Sequence, residues 1–169
     1  MNERRIIQTG IDVSRYQGKI DWARVKAGGT GFAIIKCTQG VNTVDPEFHR
    51  NMRNCAAVGL PVGAYVYSKA RTAFAAAEEA ERAAEECAPY HLDYPIAMDF
   101  EAAQFLAMPK KTRGAIIDAF CTRIEARGYK PMLYSSKYWL SALIPSETTR
   151  RWDCLLYTSP SPRDRSLSR

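Results

Sequence analysis

The stretch Pro95-Ile96-Ala97-Met98-Asp99-Phe100-Glu101 closes an apolar strand pattern with two carboxylates two residues apart. Side chains alternate between the faces of a strand. Ile96, Met98 and Phe100 are therefore expected to pack on one side, while Ala97, Asp99 and Glu101 project together to the other, the Cα atoms of the two acids roughly 6.5 to 7 Å apart. Two carboxyl groups held close in a cleft cost more to ionise together than apart. One of them can then keep its proton near neutral pH and act as a general acid, and the pattern points to Glu101. Taken alone, a D-x-E tripeptide is more often a strand end with two solvated acids. Its company along the chain decides between the two readings.

Outward from this stretch, strand-like and helix-like segments take turns, at least five strand and helix units in sequence, which predicts parallel strands joined by crossover helices. Asp45-Pro46-Glu47 reads as a helix start, with Asp45 as the N-cap, and Gly59 as its end. Phe48, Met52, Cys55 and Ala56 share the expected inward face. Val62 to Tyr67 follows as a strand, and an alanine-rich helix begins near Thr72, its acids read as a wet face. Ile116, Ile117, Phe120 and Ile124 mark a fourth apolar helix face closed by Gly128, before the strand Met132 to Ser135. In parallel barrels the functional groups gather where strands end. Asp12, Lys36, Tyr65, Tyr67, Asp99, Glu101 and Tyr134 all occupy such positions. Tyr65 and Tyr67 suit either a sugar platform or the core, and Gly63 on their face leaves room inside a crowded barrel. Tyr16, Tyr138 and Trp139 read as core or rim. Lys36 either holds a carboxylate ionised or snorkels from its strand end.

Composition narrows the classes. The formal net charge of +6 over 169 residues fits either a polyanion partner or a solvated surface, and charge alone does not decide between them. The basic residues are scattered among acids and match no nucleic-acid motif, so no nucleic-acid partner is expected. No apolar run approaches the roughly 18 to 20 residues that span a bilayer, and no membrane insertion is expected. Residues 1–8 lack the apolar stretch of a secretory signal, which suggests synthesis in the cytoplasm without a signal peptide. The cysteines Cys37, Cys55, Cys87, Cys121 and Cys154 show no metal-binding spacing. Buried thiols are the expected reading for Cys55 and Cys121, with Cys37 a candidate reactive group. His49 and His91 stand apart from any nucleophile block, and neither a metal nor a cofactor is expected.

Several ordered blocks carry a specific likeness: Gly10-Ile11-Asp12-Val13-Ser14-Arg15-Tyr16-Gln17-Gly18, Ile20-Asp21-Trp22, Phe32-Ala33-Ile34-Ile35-Lys36, Gly59-Leu60-Pro61-Val62-Gly63-Ala64-Tyr65-Val66-Tyr67-Ser68, Asp99-Phe100-Glu101 and Gly128-Tyr129-Lys130-Pro131-Met132-Leu133-Tyr134-Ser135. With their spacing, they make residues 8 to 145 resemble glycoside hydrolase family 25, the Chalaropsis-type lysozymes, a group that includes phage endolysins. The resemblance implies an α/β fold, a TIM-like β/α barrel with fewer helices than strands. It implies a muramidase acting as a monomer on bacterial peptidoglycan, at the β-1,4 bond between N-acetylmuramic acid and N-acetylglucosamine. Glu101 matches the family's proton donor. Asp99 matches the acid that orients the substrate's 2-acetamido group, and Asp12 the aspartate of the first strand. Such an enzyme acts on the cell wall, outside the cell or on release by lysis.

The chain departs from that pattern after Trp152-Asp153. Residues 8–153 read as the catalytic domain lacking its last strands, and residues 154–169, rich in Ser, Pro and Arg, as a disordered tail foreign to it. An incomplete barrel exposes strand edges. The competing expectation is therefore an inert remnant that binds wall glycan without cutting it. A related barrel enzyme acting on chitin is another.

Overall fold

The computed structural model describes residues 8–157. Seven strands follow in chain order: β1 (Gly10–Val13), β2 (Phe32–Gln39), β3 (Thr43–Val44), β4 (Val62–Tyr67), β5 (Ile96–Asp99), β6 (Pro131–Ser136) and β7 (Cys154–Tyr157). They form one sheet in the order β1-β2-β4-β5-β6-β7, every neighbouring pair parallel, with β3 antiparallel to the end of β2. The helices are α1 (Trp22–Ala27), α2 (Phe48–Val58), α3 (Ala73–Cys87), α4 (Lys110–Ala126) and α5 (Ser146–Arg151). Strands adjacent in sequence are adjacent in space, and crossovers of one hand place the helices on one side. The other, concave side of the curled sheet carries the second row of strand side chains.

Alternation along the strands sorts the residues cleanly. Ala33, Ile35, Ala64, Val66, Ile96, Met98 and Leu133 are fully buried against the helix layer, where they meet Phe48, Met52, Ile116, Ile117, Phe120 and Ile124. Their strand neighbours Ile34, Lys36, Tyr65, Tyr67, Met132 and Tyr134 face the other way and are half-buried. β1 and β7 each pair with a single strand, so among the described residues the sheet is a part-barrel and not a closed one. This matches the incomplete barrel expected from the sequence.

Several details differ from the sequence reading. Helix α2 begins after Glu47, and Asp45 is not its N-cap: one Asp45 oxygen accepts the Glu47 N–H at 3.0 Å and the other the Arg15 N–H at 3.0 Å. The carboxylate thus ties the β1 loop to the start of α2. Ala56 lies on the exposed side of α2, and its expected place inside is taken by Asn51, whose Oδ1 accepts the Trp22 indole N–H at 3.1 Å. Glu79 of α3 is not on a wet face. It is buried, accepting the Ser68 hydroxyl at 2.6 Å and the Lys69 N–H at 2.8 Å, and burial raises its pKa. Glu81 and Glu86 on the same helix pair with Arg127 and His49. Cys37 is fully buried, and its neighbour Cys87, together with burial, raises its pKa well above the ordinary thiol value, so it is no reactive thiolate. Cys55 and Cys121 are buried as expected. Cys154–Tyr157, assigned from sequence to a disordered tail, forms β7 because an extended run here can add to the free edge of β6. Residues 158–169 of that tail lie outside the described residues. Among the described residues no helix is long and apolar enough to cross a membrane.

Gly63 is where the sheet leaves no room for a side chain. A Cβ there would lie 2.7 Å from the Pro95 carbonyl oxygen, 2.8 Å from Tyr94 Cβ and 2.9 Å from Ile34 Cδ1. Overpacking of this kind costs about 1 to 3 kcal/mol. Gly63→Ala is expected to lower the unfolding free energy by that amount, read as a lower denaturant midpoint at unchanged slope.

Candidate active site

The D-x-E stretch is held by its neighbours on both sides. Asp99 C=O accepts the Ser68 N–H at 3.1 Å, Phe100 N–H donates to Tyr134 C=O at 3.0 Å, and Phe100 C=O accepts the Ser135 hydroxyl at 2.8 Å. Between the two acids, Phe100 is fully buried, stacked on Phe105 at 3.8 Å and edge-on to Trp139 at 5.8 Å. With Phe100 committed to that cluster, Asp99 and Glu101 must face the opposite side. Glu101 lies two residues past the last β5 residue, yet its backbone is fixed by this anchor.

Both acids line one cavity of about 190 Å³ on the concave side, together with Asp12, Ile34, Tyr65, Ala97, Tyr134 and Leu155. Each of the six parallel strands thus gives at least one residue to its wall. Asp99 is buried, and its Oδ1 makes no hydrogen bond among the described residues. Burial pushes the Asp99 pKa up to about 7, the Glu101 and Asp12 charges add to the rise, and the Lys36 ammonium opposes it. Glu101 is also raised, by burial. The sequence reading gave the retained proton to Glu101 and the cause to charge repulsion; burial is the larger cause, and Asp99 carries the stronger shift. The two interact, so the proton belongs to the pair.

The other expected residues divide. Asp12, Tyr65 and Tyr134 line the cavity. Burial raises the Tyr65 pKa, with Asp12 and Asp99 adding to it. Tyr67 stands beside the cavity, and burial followed by the charges of Asp99 and Glu101 raises its pKa. Lys36 does not line the cavity. Its Nζ donates to Gln39 Oε1 at 3.1 Å and lies 5.3 Å from the centre of the Tyr67 ring. Tyr16 and Tyr138 are exposed at the rim, and Trp139 is core.

Sequence reasoning missed Gln39, because residues three apart in a regular strand face opposite ways. The register of β2 against β4 slips between Lys36 and Thr38, a bulge at Cys37 that puts Lys36 and Gln39 on one face. Lys69 was missed too, although it immediately follows a strand end; its Nζ lies 5.7 Å from the Tyr67 ring. Leu155 was missed because it was assigned to the tail.

The family model Glycosyl hydrolases family 25 matches residues 11–153. Lysozyme M1 of Streptomyces globisporus is 45% identical over 60 residues, 36% of this chain and 20% of that protein. A family 25 glycosyl hydrolase from Bacillus anthracis superposes with a TM-score of 0.68 at 27% identity, covering 90% of this chain and 72% of that one. The modular autolysin LytC from Streptococcus pneumoniae, in a complex with a synthetic peptidoglycan ligand, superposes with a TM-score of 0.70 at 25% identity, covering 79% of this chain and 33% of that one. The chain spans less than half the length of the curated relatives it matches. It belongs to glycosyl hydrolase family 25.

The raised Asp99 pKa has a consequence for stability. The unfolded chain ionises this carboxyl near 3.8 and the folded one near 7, so Asp99 costs no stability below pH 3.8 and a growing amount as pH rises towards 7. Asp99→Asn removes that cost. It is expected to stabilise the protein by roughly 2 to 4 kcal/mol at pH 8 and by little at pH 4, checked by denaturant unfolding at both pH values.

Proposed function

We propose that this family 25 chain is a peptidoglycan hydrolase, an N-acetylmuramidase with Glu101 as general acid and base and Asp99 as the partner of the substrate's acetamido group. One observation carries the reading. Two acids with raised pKa share a cavity, and one of them has a buried oxygen with no hydrogen-bond partner among the described residues. An amide N–H of a 2-acetamido sugar is the donor that this oxygen lacks.

The chemistry follows from the shared proton. When the acetamido N–H donates to Asp99, the Asp99 anion is stabilised, and the proton of the pair is left on Glu101. Glu101 then protonates the glycosidic oxygen as the bond from C1 to that oxygen breaks. The acetamido carbonyl oxygen attacks C1, and the ionised Asp99 offsets the positive charge that spreads over the new ring. Substrate assistance of this kind stands beside the usual pair of enzyme carboxylates as an accepted route. In the second half, water gives a proton to Glu101 and its oxygen to C1, and the acetamido group is restored. Asp12 brings a third carboxyl group to the same cavity. Tyr65 and Tyr134 offer flat rings and hydroxyls to a pyranose.

The bacterial wall as the site of action, and a single-chain active form, complete the proposal. The lysozyme and autolysin relatives support the wall as target.

Clearing of bacterial walls in a gel, with muropeptides identified by mass, tests the reading. General acid catalysis contributes about 10² to 10⁴ in rate, and Glu101→Gln is expected to lose that much while still binding glycan. Wall binding without clearing by the unaltered chain would instead favour a glycan-binding remnant. Reducing ends released from chitin oligomers and not from walls would favour a chitin-type substrate.

A further inference from the structure

Beside the catalytic cavity runs a second, more open groove of about 350 Å³, between the β2–β3 turn and the loop from β4 to α3. Gln39, Gly40, Asn42, Thr43 and Lys69 line it. It lies one strand away from the acids: Gln39 pairs in register with Tyr67, and Tyr67 with Asp99. Lys36 and Lys69 approach the same Tyr67 ring at 5.3 and 5.7 Å, and neither takes part in an ion pair among the described residues.

Two ammonium groups beside one ring repel each other, and a site next to them favours an anion. The Lys69 backbone is fixed at both ends, its N–H donating to Glu79 and its C=O accepting the Gln104 amide at 2.6 Å. Its stem runs in ordinary contact beside Gly40, where φ is +63°. Glycine at that point accommodates the left-handed backbone of the turn. Glu79 also borders it, but both its oxygens already accept hydrogen bonds, from Ser68 and Lys69. Glu79 is buried, whereas the Lys69 side chain is exposed at the border, beside the amide and hydroxyl groups of Gln39, Asn42 and Thr43. That combination suits an extended peptide bearing carboxylates.

We propose that this groove receives the carboxylate-bearing peptide stem carried by the muramic acid unit at the cleaved bond, and that Lys69 is its charge-recognising residue. The inference rests on the muramidase reading. It gives the chain a means of preferring stem-bearing glycan over the same backbone without stems.

The test compares two soluble substrates: purified glycan strands with their stems, and the same strands stripped of stems by an amidase. The unaltered chain is expected to cleave the stem-bearing strands with about tenfold higher kcat/KM, the advantage lying in KM and shrinking at high salt. Lys69→Gln is expected to lose about three- to tenfold on stem-bearing strands and little on stripped ones. Lys69→Arg keeps the preference, and Arg53→Gln, an exposed charge on α2, leaves both rates unchanged. Equal losses on both substrates, or none on either, overturn the inference and leave the muramidase reading intact. An effect of Lys69→Gln confined to walls carrying phosphate polymers overturns it too, assigning the groove to the polymer. Cleavage of neither substrate by the unaltered chain overturns the muramidase reading and this inference with it.

Discussion

Strict alternation of side chains across a sheet wound in one direction is the constraint on which the rest of this structure depends. Half of the strand residues must satisfy the helix layer, and Ile35, Val66, Met98 and Leu133 do so at full burial. The other half are released from packing and can carry chemistry. Because all five pairings among β1, β2, β4, β5, β6 and β7 are parallel, every carboxyl-terminal strand end comes to one rim. A slip of one residue in β5 would bury Asp99 against α4 and turn Phe100 into the cavity. The Phe100 cluster with Phe105 and Trp139 opposes that slip, and so fixes the acids without touching them.

The same arrangement explains the electrostatics. On the proposed reading Asp99 receives a polar ligand and keeps an oxygen unpaired for it among the described residues, and desolvation is the largest cause of its shift. An ammonium group in direct contact with Asp99 would cancel the shift and leave no proton to share. Lys36 is instead engaged by Gln39 and the Tyr67 ring, so its charge opposes the rise without abolishing it. The site thus trades stability near neutral pH for a titratable pair, as functional sites commonly do.

What the sequence disclosed follows from the same alternation. Ile96 to Glu101 alternate without interruption, and the inward rows of α2 and α4 rest on helical spacing, so the strand, the placing of its two acids on one face and most of the core were legible there. Gly59, in the left-handed region at φ 64°, ended α2 where expected. Position in a local pattern does not disclose what a distant segment will bring. Glu79 reads as solvated on its helix, and only the β4 loop, which supplies the Ser68 hydroxyl and Lys69 N–H, makes its burial tolerable. Asp45 reads as a cap, and the remote Arg15 N–H claims one of its oxygens. β7 was invisible because its partner, the free edge of β6, is a property of the sheet and not of residues 154–157.

The bulge at Cys37 is the least legible feature and the one that shapes the surroundings of the acids most. In a regular strand Lys36 would point to the concave side and Gln39 into the helix layer. The inserted residue keeps Cys37 and Thr38 both buried and returns Gln39 to the concave side beside Tyr67. Lys36 then meets Gln39 across the bulge, and the strand end is bent towards the short β3 pairing, where Thr38 and Gln39 face Val44 and Thr43. One irregular residue therefore does two things: it steers the cation that moderates Asp99, and it turns a polar side chain towards the groove next to the cavity. Bulges recur beside active sites because re-aiming a side chain without breaking a parallel sheet requires the local register to change, and here the change falls between the two residues whose directions matter.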